Sequence, residues 1–144
     1  MLSNTSRYAL RAVIYLAVNS KDNKRIGIKK IAEDLDIPSP FLGKILQTLA
    51  KHKVLFSNKG PNGGFAFPDD SKDLTLFDLI KIIDGDDIVQ KCLLSDRDCH
   101  EEGKYCPVHD QYSKIRGDIN TMLKEHTIMS FAEKAESKEG EVFI

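Results

Sequence analysis

The chain has 144 residues, 41% of them hydrophobic, and a formal net charge of −1 at pH 7; that bounds it to one domain, or one domain with an appendage, with enough apolar material for a core that needs no disulfides. Its three cysteines are an odd number, which disfavours a closed disulfide framework, and no apolar run approaches the ~20 residues that span a bilayer. The apolar run at Tyr8–Val18 contains Arg11 and lacks a cleavage pattern, so no secretory leader is expected, and the chain reads as cytoplasmic with reduced thiols and no membrane partner.

The near-zero net charge conceals a split. Residues 1–68 carry 11 Lys+Arg against 4 Asp+Glu, and residues 69–144 carry 10 against 18. A basic half suits a polyanionic partner, and an acidic half avoids it. Within the basic half, Ser3-Asn4-Thr5-Ser6 offers several N-caps for a helix over Tyr8–Val18 that is apolar on most sides and so expected to be buried. Asn19–Arg25 is a polar turn, and Ile28, Ile31, Ala32 and Leu35 mark a second helix over about Ile28–Leu35. Asp36-Ile37-Pro38 breaks it, because the residue before proline avoids the α region.

Ser39-Pro40 opens a third helix, with Ser39 as N-cap and Pro40 at the first helical position. It runs to about His52. Phe41, Leu42, Ile45, Leu46 and Leu49 are expected to face inward, and Ser39, Gly43, Lys44, Gln47, Thr48 and Lys51 outward. Two short helices joined by a tight turn, the second with small polar and basic residues outward, form the helix-turn-helix pattern. An amphipathic pair alone fits a plain solvated surface equally well; the next segment decides. Val54–Ser57 and Phe65–Phe67 are short strand candidates around Asn58-Lys59-Gly60-Pro61-Asn62-Gly63-Gly64, a hairpin tip rich in turn residues. Three helices and a two-stranded hairpin read as a winged helix that binds double-stranded DNA. Ser39, Lys44, Gln47 and Thr48 are placed to meet phosphates and base edges, and Lys59 to enter a groove from the wing.

Arg7-Tyr8-Ala9-Leu10-Arg11-Ala12, Ile31-Ala32, Phe41-Leu42 and above all Lys59-Gly60-Pro61-Asn62-Gly63-Gly64-Phe65 resemble the Rrf2 family of bacterial winged-helix regulators, most closely its iron–sulfur cluster regulator type. The resemblance covers residues 1 to about 130. It implies a homodimer with two winged-helix heads and a long crossing helix, and transcriptional control rather than catalysis.

In the acidic half, Thr75 followed by Asp78 resembles a capping box, after which Leu76 to Ile83 form a helix that packs on the head and ends at Gly85. Asp84, Asp86 and Asp87 read as a solvated helix terminus, since EF-hand spacing is absent. The segment from Cys92 to His109 then holds all three cysteines: six residues separate Cys92 from Cys99 and Cys99 from Cys106, and His109 follows after two more. Three thiolates and an imidazole can close a zinc site or hold an iron–sulfur cluster. The tight Cys-x-x-Cys knuckle usual for zinc is absent, and wide, even spacing suits a larger object. The resemblance points the same way: the family's sensors carry three such cysteines between wing and long helix, though each gap here is one residue longer than in the iron–sulfur cluster regulator. Its nitric-oxide-sensing members use an N-terminal aspartate as fourth ligand to a 4Fe–4S cluster. The aligned position here is Arg7, which cannot coordinate, so the expected set is Cys92, Cys99, Cys106 and His109 around a 2Fe–2S cluster, with 4Fe–4S as the alternative. His100, beside Cys99, is a competing ligand.

Val108, Tyr112, Ile115, Ile119, Met122, His126 and Met129 recur at alternating spacings of four and three, a heptad seam on one long helix that would pair two chains over residues 108–129. The tail over 133–144 is charged and then apolar. The whole is mainly α with a small β-hairpin: a winged helix-turn-helix head over 1–87, a cysteine-rich cluster loop over 88–109, and a dimerisation helix with its tail over 110–144. No oxyanion-hole motif or glycine-rich phosphate loop suggests an enzyme. The rival reading is a zinc-bound or metal-free winged-helix regulator sensing another signal.

Overall fold

Helix α1 (Asn4–Asn19) is the axis of the protein. Ser3 caps it: its hydroxyl accepts from the Ser6 N–H at 3.0 Å and donates to Asp84 at 2.8 Å, which ties the start of α1 to the end of a later helix. Ala9, Ala12, Val13 and Leu16 are fully buried. Around them pack α2 (Ile28–Leu35), α3 (Ser39–Lys51), α4 (Leu76–Asp84) and α7 (Ile128–Glu136). The computed structural model describes residues 2–95 and 106–137. Cys99, His100 and the tail beyond Ser137 lie outside the described residues.

The helix-turn-helix forms as the apolar spacing dictates, with two differences. The N-cap of α3 is Pro38, not Ser39. The Pro38 carbonyl accepts the Phe41 and Leu42 N–H groups, both at 3.1 Å, so the helix starts one residue early and Pro40 still sits in the first turn, where no N–H is needed. Phe41 also points outward, 65% exposed, because the inner stripe of Leu42, Ile45, Leu46 and Leu49 is already filled against α1 and α2. Its spacing from Lys44 and Thr48, three and seven residues, puts it on their face of the helix.

The wing pairs β1 (Phe56–Asn58) with β2 (Gly64–Ala66) in antiparallel register. Against the expected Val54–Ser57 and Phe65–Phe67, β1 starts two residues later and ends one later, and β2 starts and ends one residue sooner. Lys53 takes a left-handed conformation (φ 60°), and Val54 and Leu55 turn into the core at 3% exposure instead of joining the hairpin. Ile26 docks the wing onto the α1–α2 connection through two backbone hydrogen bonds with Phe65, each 2.9 Å. Gly64 permits this approach: it has φ +147°, and a Cβ there would sit 2.5 Å from the Ile26 oxygen.

Thr75 and Asp78 form the expected reciprocal capping box on α4, and Gly85 ends the helix. A short helix α5 (Asp87–Gln90) follows, which the sequence pattern did not suggest. The three aspartates are accounted for locally: Asp84 accepts from Ser3, Asp86 pairs with Lys81, and Asp87 pairs with Lys91.

The single long helix does not form. Helix α6 (His109–Glu125) stops at His126, which is extended (φ −109°, ψ 124°), and α7 starts afresh with Thr127 as N-cap, its hydroxyl accepting from the Ser130 N–H at 3.2 Å. The cause is a short antiparallel contact. Leu76 N–H donates to His126 O (3.1 Å) and Ile128 N–H donates to Leu74 O (2.9 Å). Chain that pairs there cannot continue a helix, and α7 folds back onto α1, burying Ile128 and Ala132. The heptad seam therefore ends at Met122. Thr127→Ala tests this break by the sign of its effect. Losing the cap destabilises the protein by about 1 kcal/mol, read in a urea melt, whereas in a continuous helix alanine would stabilise.

Candidate functional site

Two surfaces carry chemistry. The first is the outer face of α3 with the wing. Ser39, Lys44, Gln47 and Lys59 are exposed, and Thr48 is half-buried. The Thr48 hydroxyl donates to the Lys44 carbonyl at 2.9 Å, so it meets a partner as an acceptor only. Two residues that the sequence reading did not assign to this surface belong to it: Phe41, expected to face inward, and Arg25. Phe41 adds an apolar ring beside Lys44 and Thr48. Arg25 lies 5.0 Å above the Phe56 ring, which holds a guanidinium at the base of the wing. Heptad and helical periodicity could have flagged Phe41 as the edge of its stripe; nothing in the sequence links Arg25 to Phe56, since a fold contact joins them.

The second surface is built by the ends of the cysteine segment. Cys92 follows α5, and Cys106 precedes α6, whose first residue is His109; the His109 N–H donates to the Cys106 carbonyl at 3.0 Å. The Cys92 and Cys106 sulfurs stand 3.7 Å apart. Two thiolates on one tetrahedral metal, each at ~2.3 Å, lie ~3.8 Å from one another. The pair therefore has the separation of two thiolates on one metal, and His109 follows Cys106 by three residues in sequence. Among the described residues no group of three or more His, Cys, Asp or Glu side chains is gathered as a metal site, so His109 is not gathered with Cys92 and Cys106; Cys99 lies outside the described residues. The Leu94 N–H directed at Cys92 Sγ (3.5 Å) is the main reason this thiol is pulled from 9.0 down to about 7; burial opposes the shift, and Cys106 and Ser95 reinforce it.

A family-wide sequence profile for Rrf2, described as an iron-dependent transcriptional regulator, matches residues 2–134. The chain belongs to the Rrf2 family. A protein of Aquifex aeolicus described as an HTH-type transcriptional regulator is 34% identical over 129 residues, covering 89% of this chain and 88% of its own. The transcriptional regulator IscR of Photobacterium profundum is 28% identical over 125 residues, covering 84% of this chain and 71% of its own. Among solved structures, CymR, the global cysteine regulator of B. subtilis, superposes with a TM-score of 0.75 at 20% identity, covering 93% of this chain and 97% of its own. T. potens IscR gives 0.72 at 18%, covering 99% and 94%. The fold is thus the winged helix of Rrf2 regulators, a DNA-binding family.

For this Rrf2 protein the environment of Cys92 has a measurable consequence. Thiolate is the form that reacts, and a depressed pKa makes it abundant above about pH 7. In metal-free protein, iodoacetamide labelling of Cys92 rises with a midpoint near that pH, and in the unfolded chain near ~8.5. Mass spectrometry of the labelled peptide separates the two profiles.

Proposed function

We propose that this Rrf2 regulator binds a pseudo-palindromic double-stranded operator as a homodimer, and that an iron–sulfur cluster held by Cys92, Cys99, Cys106 and His109 sets its affinity. The observation that supports it most is the 3.7 Å approach of Cys92 to Cys106. The segments flanking α5 and α6 bring these two cysteines, 14 residues apart in sequence, together. Cys99 lies between them in sequence and His109 follows Cys106, so the proposed centre takes its remaining ligands from the same segment. The 2Fe–2S form suits three thiolates and an imidazole, and Arg7, exposed on α1, offers no donor for a 4Fe–4S alternative. A cluster supplies one-electron redox chemistry and reactivity toward nitric oxide. The chain's own part is to order residues 88–109, which join the winged-helix head over 1–87 to the dimerisation segment over 110–144.

Dimerisation follows from an unburied stripe on α6. Ile115 is 55% and Met122 46% exposed, with Ile119 half-buried between them at heptad spacing. Two copies pairing there would bury this stripe and present two α3 helices to successive major grooves. On each half-site, Lys44 and Lys59 meet phosphate, Ser39, Gln47 and Thr48 reach base edges, and Phe41 can lie on a thymine methyl.

A second reading has its own support. One zinc ion fits the Cys92–Cys106 separation equally well, and the CymR fold neighbour is named for cysteine regulation, not for iron. Anaerobic purification with iron, sulfide and zinc counting decides between them, followed by operator binding before and after stripping the metal. Iron with sulfide and a changed affinity upholds the proposal; zinc in a colourless sample overturns it. For the DNA face, Lys44→Ala and Lys59→Ala should each weaken binding to all sequences and lower the salt slope by about one unit per protomer. Phe41→Ala should instead relax specificity at one base pair. Both are read by fluorescence anisotropy across a salt series.

A further inference from the structure

Among the described residues, Arg116 is the only charged side chain that is buried, 6% exposed on α6. A guanidinium removed from water is costly unless its N–H groups are met. Among the described residues, what meets it is not a carboxylate. Nη1 donates to the carbonyls of Gln90 (3.4 Å) and Lys91 (3.2 Å), and the guanidinium lies 5.6 Å above the Tyr112 ring. Those carbonyls are the last residue of α5 and its C-cap. A four-residue helix cannot sustain itself, and its terminal carbonyls need donors. Arg116 supplies them. The next residue is Cys92.

The far side of this contact is equally specific. His109, Tyr112 and Arg116 are spaced by three and four residues, so they share one face of α6. That face carries, in order, an imidazole that follows Cys106, an aromatic ring, and the cation that grips the chain just before Cys92. We propose that Arg116 is a positioning residue: it latches the 87–92 segment to α6 and thereby holds Cys92 at contact distance from Cys106. The cysteine segment is then closed at both ends by one helix, and a change in its order reaches α6 through Arg116. The link to DNA affinity rests on the cluster reading above; the latch itself does not.

The test compares wild-type protein with Arg116→Gln, which removes the cation, and Arg116→Lys, which keeps charge but not the fork of donors. Hydrogen exchange is measured on the metal-free dimer or monomer as it is purified. With the latch, Arg116→Gln speeds exchange of amides 87–92 by about tenfold or more, leaves α1 to α4 unchanged, and Arg116→Lys lies between. Unchanged exchange at 87–92 overturns the proposal. If Arg116→Gln fails to fold, Arg116→Lys decides: faster exchange confined to 87–92 supports the latch, and a uniform rise across α1 to α4 overturns it. In metal-loaded protein, Arg116→Gln should bring the ratio of operator affinities between loaded and stripped forms close to one. Wild-type protein without iron and sulfide would sink the cluster reading alone, and the exchange result would still judge Arg116.

Discussion

Two threonines, Thr75 and Thr127, lie side by side in a short antiparallel bridge, and the architecture depends on it. Each caps a helix, α4 and α7 respectively. The two backbone hydrogen bonds flanking the bridge fix where α6 ends and send α7 back onto α1. Without that return, α1 would leave an apolar flank to water beside Ile128 and Ala132. With it, the chain leaves the head after α4, makes its excursion through the cysteine segment and α6, and rejoins the head before it finishes. The excursion is anchored at its return by Leu123, buried at 3% exposure, and by Lys124, whose Nζ lies 4.7 Å over the Phe77 ring of α4.

This arrangement gives α6 its place between two tasks. Its C-terminal end is welded to the head. Its N-terminal end carries His109 and, through Arg116, the chain before Cys92. Its outer stripe of Ile115 and Met122 is unburied. A helix tied to the winged-helix head at one end and to a candidate metal centre at the other is where a bias in one would be felt by the other.

Much of the head was legible because its signals are local. The stripe of α2, the Thr75–Asp78 capping box and the turn residues of the wing each act over a few residues, and each formed where expected. The errors came from competition beyond the local window. Phe41 looked like core by composition, but four other residues already fill the inner stripe of α3. The heptad through His126 and Met129 was a real pattern, overridden by backbone pairing with Leu74 and Leu76. A local sign was available there: Thr127 followed by Ser130 is a capable cap, the same chemistry that was read correctly at Thr75. The cysteine spacing disclosed donor types but not the approach of Cys92 to Cys106, which two distant helices create. Arg116 was invisible because a single arginine on a polar-looking helix gives no sign that it will be buried.

The bridge between Thr75 and Thr127 also sets an order of events during synthesis. The N-terminal helices and the wing can collapse as they emerge, since their contacts are mostly local, but the groove on α1 that receives α7 stays open until residues 128–136 are available. By then the cysteine segment is already outside the ribosome. The last step of folding ties off the large loop that contains it, and shortens the distance its ends can wander. In a chain folded in this order, the ends of the segment are brought together last, so the 3.7 Å approach of Cys92 to Cys106 is a property of the finished fold and not of the nascent chain.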